Sequence, residues 1–255
     1  MVGHRELILS YFAASVLLSP SIWAGTPVNR VINGDAETGD MTGWTPIDQF
    51  TASDSSITGE LGLLECETLG QYSFTGEFGS STESASQVID VSDEALGIDA
   101  GVREFHFTGL IQSRRAGGGL DIGTIVITLR DAANNQTASY ELADNTINNG
   151  IFDWEHLSLS EIIPASTRSI EIVMIGTRNS GSSIDCFFDN LELRIQPPQC
   201  SSADLNRDGQ LNFFDVSRFL SAYNSNDPEA EFTGNCQLDF FDVSAFLSAY
   251  NAGCI

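Results

Sequence analysis

The sequence predicts a mainly β chain, an antiparallel β-sandwich followed by a small α-helical unit built on paired loops. Three observations carry that expectation. Apolar residues alternate with a period of two in run after run between residues 25 and 196. No helical periodicity interrupts those runs. The string NFFDVSRFLSAYN at 212–224 then returns as DFFDVSAFLSAYN at 239–251, an internal duplication with a period of 27 residues.

The alternating runs come first. Phe105 and Phe107 alternate with Glu104, His106 and Thr108, and Ile125, Ile127 and Leu129 with Val126 and Thr128. Ile170, Ile172 and Met174 alternate with Glu171 and Val173, and Leu191, Leu193 and Ile195 with Asn190, Glu192 and Arg194. Such runs are half-buried or buried strands. Turn clusters separate them: Ala116-Gly117-Gly118-Gly119, Asn134-Asn135 and Asn148-Asn149-Gly150. About eight to ten short strands at this spacing make an antiparallel sandwich. Tyr72, Phe74 and Phe78 are expected on one inward strand face, and Trp44 in the core.

Residues 1–24 read as a secretory leader, with Arg5, an apolar stretch from Leu7 to Leu18, and cleavage after Ala24. No later stretch reaches the roughly 18 apolar residues of a membrane span. The expectation is an exported chain, secreted or held at a cell surface, with no transmembrane segment after cleavage. Gln196-Pro197-Pro198-Gln199 reads as a linker, because paired prolines end a strand and stay extended. The division is therefore 1–24 leader, 25–196 sandwich and 197–255 helical unit.

Composition bounds the partners. Asp and Glu number 35 against 11 basic residues, all Arg, for a formal charge of −24. That charge repels phosphate backbones and disfavours nucleic acid, while attracting divalent cations. Cys66, Cys186, Cys200, Cys236 and Cys254 all lie in exported sequence, where disulfides form. Five is odd, which leaves one thiol over or pairs it between chains.

The segment Asp204 to Asp215 carries the clearest chemistry. Calcium takes six to eight hard oxygens, and a 12-residue loop supplies them from alternating positions. Asp204, Asn206 and Asp208 fill positions one, three and five. Gln210 offers its backbone carbonyl at seven, Asn212 fills nine and Asp215 fills twelve. Gly209 stands at the sharp turn. A helix follows, with Val216, Phe219, Leu220 and Tyr223 on one apolar face, repeated by Val243, Phe246, Leu247 and Tyr250. In the second loop Glu231 and Thr233 replace the first two ligands and Cys236 replaces the glycine. Asn235, Asp239 and Asp242 remain, so weaker calcium binding or none is expected there.

These repeats resemble type I dockerins, and the ending Ala252-Gly253-Cys254-Ile255 resembles the divergent GC-type of that family. The resemblance implies a calcium-dependent anchor that docks on a cohesin-like or other surface protein. It also implies that the two ends of the unit meet, so that Cys200 pairs with Cys254, with Cys236 as the odd thiol and Cys200–Cys236 as an alternative bridge. Loop positions ten and eleven, the docking face of cellulosomal dockerins, are here Phe213-Phe214 and Phe240-Phe241. Exposed, they would meet an apolar partner; buried, they would extend the core.

A second resemblance covers the sandwich. Asn33-Gly34-Asp35-Ala36-Glu37 followed by Gly43-Trp44 resembles the opening of secreted carbohydrate-binding jelly rolls of the galactose-binding-like kind. Phe188-Asp189-Asn190-Leu191-Glu192-Leu193 resembles their closing strand. The resemblance implies polysaccharide as ligand and a structural calcium between Glu37 and Asp189. Sugar rings stack on exposed aromatics, and Trp154 is the candidate platform, with a core position as the alternative.

No G-x-S-x-G or H-E-x-x-H occurs. With 35 acidic residues some carboxylate pair always suits a glycosidase, so that signal has no power. The leading expectation is a non-catalytic binding module on a calcium-dependent anchor. The alternatives are a small polysaccharide-active hydrolase or lyase on a sandwich, and a structural surface protein that binds no sugar.

Overall fold

The computed structural model describes residues 27–59, 62–64, 68–116, 119–143 and 153–254. The expected leader, Cys66 and the Asn148–Gly150 turn lie outside these residues. The elements in chain order are β1 (Thr45–Ile47), β2 (Thr51–Asp54), β3 (Tyr72–Thr75), β4 (Thr82–Asp90), α1 (Ala95–Asp99) and β5 (Glu104–Ser113). There follow β6 (Arg115–Ala116), β7 (Gly119–Leu120), β8 (Ile122–Asp131), β9 (Gln136–Ala143), β10 (Glu155–Ile162), β11 (Thr167–Thr177) and β12 (Cys186–Gln196). The helices α2 (Phe213–Ser225) and α3 (Phe240–Ala252) end the chain.

Two five-stranded antiparallel sheets form a sandwich, ordered β1-β4-β11-β8-β9 and β10-β5-β12-β3-β2. The chain crosses between sheets in jelly-roll fashion: β3, β5, β10 and β12 lie in one sheet and β4, β8 and β11 in the other. Period-two patterning explains the core. Phe105, Phe107, Ile125, Ile127, Leu129, Ile170, Ile172, Met174 and Leu193 are all fully buried between the sheets. β6 and β7 form a separate small hairpin, and Asn134 turns β8 into β9 with φ at +66°.

The opening and closing segments meet in space. The Leu191 amide donates to the Gly34 carbonyl at 2.9 Å and the Arg30 amide to the Leu193 carbonyl at 2.8 Å. A Cβ on Gly34 would stand 2.0 Å from the Leu191 carbonyl oxygen, so this close approach requires glycine. Trp44 is buried, its indole donating to the Asn33 carbonyl. One expectation fails at this end: Phe78 is 68% exposed. β3 stops at Thr75, so the alternation that keeps Phe74 in the core no longer governs a residue three positions on.

The C-terminal segment has its own core. Phe219 of α2 and Phe246 of α3 stack at 4.2 Å with planes 9° apart, and Phe232 meets both edge-on. Phe219 and Phe246 are 27 positions apart, the sequence period, so the duplication folds into a pseudo-twofold pair about this stack. Leu220 and Leu247, assigned by periodicity to the inward face, are 56% and 46% exposed. About 100° of rotation per residue carries the residue after Phe219 or Phe246 away from the line of the stack. Cys200 and Cys254 are joined by a disulfide, with Cα atoms 4.8 Å apart. Cys236 is disulfide-bonded as well, which corrects its assignment as the odd thiol and excludes a Cys200–Cys236 bridge. Cys186, at the start of β12, is buried in the sandwich core. Among the described residues no helix is long and apolar enough to cross a membrane.

Candidate functional site

The twin loops share a backbone. Arg207 and Gly209 adopt left-handed φ of +55° and +77°, and Gly234 and Cys236, one period later, adopt +72° and +61°. The second loop thus keeps the turn with a cysteine where the first has glycine, a strained choice for a side-chain-bearing residue. Both helices open with a capping box. Asn212 caps α2 and its amide donates to Asp215 at 2.9 Å; Asp239 caps α3 and its amide donates to Asp242 at 2.8 Å.

Inside the loops the two differ. Asp204 and Asp215 are fully buried carboxylates. Asp204 accepts the amides of Asp208 and Gly209, and Asp215 that of Asn206. Asn206 and Asn212 direct their amide groups at Asp208, at 2.9 and 3.5 Å, and Asn212 also reaches the Gln210 carbonyl at 3.5 Å. All six expected donors therefore gather around one loop. Burial pushes the Asp204 carboxyl up, the amides of Cys200 and Gly209 oppose that, and Asp215 and Asp208 raise it further. The three carboxylates repel one another unless a cation neutralises them.

In the second loop the Thr233 hydroxyl lies 2.8 Å from Glu231 and 3.1 Å from Asp242 and shares its one proton between them. A neutral donor thus bridges the carboxylates at positions one and twelve. Glu231 also accepts the amides of Thr233, Gly234 and Asn235. Burial raises the Asp242 carboxyl, but the amides of Asp239 and Phe232 outweigh it and the net direction is down. Among the described residues no three His, Cys, Asp or Glu side chains converge in a metal-holding group. The first loop's donors are mixed, three Asp with two Asn and a carbonyl, which is the oxygen chemistry calcium takes.

The four phenylalanines are exposed: Phe213 75%, Phe214 67%, Phe240 75% and Phe241 66%. They occupy the first turn of each helix, one pair per repeat, with nearly equal exposure across the pseudo-twofold.

A second site lies on the outer face of the β10-β5-β12-β3-β2 sheet. Register places Phe187 opposite Gln112, and Trp154 stands level with them, one step beyond the Glu155–Ile111 pair. Trp154 does face outward from the sheet, as its parity opposite to Leu157 requires, yet it is only 2% exposed. Thr58, Gly59, Leu63 and Leu69 cover it. The Trp154 indole donates to the Gly59 carbonyl at 3.0 Å, Gln112 to the Thr58 carbonyl at 3.1 Å, and Leu63 and Leu69 pack on Trp154, Leu110 and Phe187. Trp154 is therefore no open stacking platform. Further along the same face the side chains are polar: Ser158, Thr108 and Glu192 in one row, Ser160, His106 and Arg194 in the next. Thr108 and Glu192 floor a cavity of about 450 Å³ walled by Asn33, Asp35 and Asn190. Sequence patterning could not find this trough, because its residues are ordinary outward strand positions.

Beside the trough, Asp189 is fully buried with Oδ2 lacking a hydrogen-bond partner. Ser73 Oγ is also orphaned, and Asp189 and Ser73 are each one step past the Phe188–Phe74 pair. Burial pushes the Asp189 carboxyl up to about 8; the Asn190 amide opposes this, and Glu37 and Asp35 add to it. Glu37 itself accepts the Tyr72 amide at 2.9 Å, and a Cβ on Gly70 would strike its carboxylate at 2.0 Å. A bulge in β12 follows between Asp189 and Glu192, with Asn190 at φ +49°.

No family model and no curated protein matches this chain. Several solved structures are similar to it. The enzymatically active domain of bacteriophage CBA120 tailspike protein 4 matches at TM-score 0.47 and 15% identity, over 66% of this chain and 21% of that one, so the chain spans about a fifth of the tailspike's length. The CBM22-1 xylan-binding domain of Paenibacillus barcinonensis Xyn10C matches at TM-score 0.34 and 13% identity, over 63% of this chain and 90% of that one. A CBM4 structure matches at TM-score 0.35 and 12% identity, over 65% and 99%.

Proposed function

We propose that this chain is an exported, non-catalytic carbohydrate-binding-like sandwich held to a surface or extracellular partner by a calcium-dependent, dockerin-like C-terminal anchor. The observation that carries the reading is the duplicated apolar display. Two phenylalanine pairs stand out at 66–75% exposure on a segment whose other phenylalanines are packed inside. An exposed apolar patch of this kind is a protein-docking surface. The partner it fits is a cohesin-like or other surface protein with an apolar face.

Calcium belongs to the first loop, through Asp204, Asn206, Asp208, the Gln210 carbonyl, Asn212 and Asp215. The ion would neutralise the buried carboxylates and tie the loop to the start of α2. The Thr233 bridge supports little or no binding in the second loop. A second ion, or an ordered water, suits the orphaned Asp189 Oδ2 and Ser73 Oγ beside Glu37. The polysaccharide reading rests on the paired opening and closing motifs and on the polar trough floored by Thr108 and Glu192. A calorimetric calcium titration and a glycan array, both on the full chain, test the calcium and carbohydrate parts of the reading. Calcium should bind the C-terminal loops with one strong site, and two equal sites there would refute the asymmetry. A glycan array that bound nothing would leave the structural-protein alternative standing.

A further inference from the structure

Arginine is sparse here, yet three of the 11 arginines meet at one cleft where the C-terminal segment sits against the sandwich. The cleft measures about 580 Å³. The outer face of β5 and β12 supplies His106 and Arg194, the first loop supplies Arg207, and α2 supplies Arg218. On a chain of charge −24 this is a local concentration of guanidinium groups, with Asp227 and Glu229 in the same lining.

Each guanidinium is held from behind by an acid. Arg194 binds Glu192 through Nε and Nη2 and the Pro27 carbonyl through Nη1. Arg207 gives Nη1 to Glu104 at 3.1 Å and to the Pro197 carbonyl at 3.3 Å. Arg218 gives Nε to Glu229 at 2.9–3.0 Å and Nη2 to the same carboxylate at 2.8 Å. Arg194 is thus spent. Arg207 keeps Nε and Nη2, and Arg218 keeps Nη1, as donors without a protein acceptor among the described residues. Both side chains are mostly covered, at 23% and 30% exposure, so their direction is fixed before any ligand arrives.

We propose that this cleft binds the carboxylate of a uronate unit in an acidic polysaccharide. Oriented guanidiniums match a carboxylate's geometry and charge better than a neutral hydroxyl does. Pro27, Pro197 and Pro228 give the same cleft apolar faces against which the C–H face of a sugar ring can lie. A polymer also fits the position. His106 and Arg194 are the next outward residues along β5 and β12 from Thr108 and Glu192, the floor of the trough, so one chain can run from trough to cleft. The inference rests on the carbohydrate reading of the sandwich and names the sugar class. It also makes the C-terminal segment part of the binding surface, since Arg207 and Arg218 come from it.

The test is a glycan array probed with the full chain in calcium, spanning neutral glycans and glycans bearing glucuronate, galacturonate or mannuronate. Calorimetry on the strongest binder follows, against the same glycan with its carboxylates reduced to alcohols and against acetate. Uronate-bearing glycans should bind, carboxyl reduction should weaken binding about tenfold or more, and Arg218→Gln should do the same. The variant's melting temperature should match the parent's, because its guanidinium pair with Glu229 is solvent-exposed in part. Neutral glycans binding as well as acidic ones, with Arg218→Gln without effect, would overturn the inference and leave the carbohydrate reading intact. Acetate binding as tightly as the uronate glycan would overturn it in favour of a simple anion pocket. No glycan binding at all would overturn both.

Discussion

At the residue scale the decisive contrast is between Asp215 and Asp242. Both stand at the N3 position of a capping box and accept the amide of the N-cap residue, so replacing either by Ala removes that bond, at a cost of about 1 kcal/mol. Asp215 shares its loop with the carboxylates of Asp204 and Asp208, whereas Asp242 shares its loop with Glu231 and the Thr233 hydroxyl between them. Asp215→Ala should therefore abolish most of the calcium-dependent rise in melting temperature, whereas Asp242→Ala should lower the baseline and keep the rise. Melts followed by circular dichroism in calcium and in chelator separate these outcomes. Asp189 gives a pH-dependent case. Its folded pKa, about 8, lies above its unfolded value near 4, so the folded state binds the proton more tightly. Without a cation, stability falls as pH rises from about 4 to about 8, by up to about 1.4 kcal/mol per unit. Asp189→Asn should raise the melting temperature at pH 8 in chelator. If Asp189 and Glu37 hold calcium, the same variant should be the less stable form in calcium. An identical pH slope with and without calcium would exclude the ion from this site.

At the element scale the helix pair depends on one aromatic stack. Phe219→Ala or Phe246→Ala removes half of it, with a cost of about 3–5 kcal/mol. A core this small cannot absorb that, and α2 and α3 should lose helical signal together while the sandwich stays folded. The surface pairs should behave in the opposite way. Phe213→Ser with Phe214→Ser changes exposed side chains in the first turn of α2 and should leave the helical spectrum intact. It should nevertheless weaken capture by an apolar docking partner, and the same change at Phe240 and Phe241 should remove what remains. Equal capture by the fourfold variant would sink the docking assignment.

At the scale of the whole molecule, the Cys200–Cys254 bridge closes the helical segment where it leaves the sandwich, with a sequence separation of 54. Loop-closure entropy for that length is worth about 4 kcal/mol in the chain-entropy model. Replacing both cysteines by Ser should lower the melting temperature of the helical segment and raise the calcium concentration needed to fold it. The Arg207–Glu104 pair joins the first loop to β5, so calcium bound in that loop would be coupled to the orientation of the segment on the sandwich through this residue. Proteolysis near Pro197-Pro198 should accordingly be faster in chelator than in calcium.

The sequence by itself determined what depends on local order. Period-two patterning put Phe105, Phe107, Ile125, Ile127, Ile170 and Ile172 in the core, because a strand presents alternate residues to one face whatever its neighbours are. The 27-residue duplication likewise carried the twin turns and the two stacked phenylalanines, since equal local sequences adopt equal local backbones. Tertiary structure decided everything that depends on what arrives from elsewhere in the chain. Trp154 points outward as its parity says, but only the packing of Gly59, Leu63 and Leu69 on it shows that it is covered. Phe78 and Leu220 satisfy apolar patterns, yet one lies past the end of its strand and the other away from the line of the stack. Cys236 reads as a leftover by count, and bonding partners are set by distance, which one-dimensional spacing does not contain. The orphaned Asp189 carboxylate and the arginine-lined cleft were illegible for the same reason: each is made of ordinary residues far apart in sequence, brought together by strand register and by the seating of the helices.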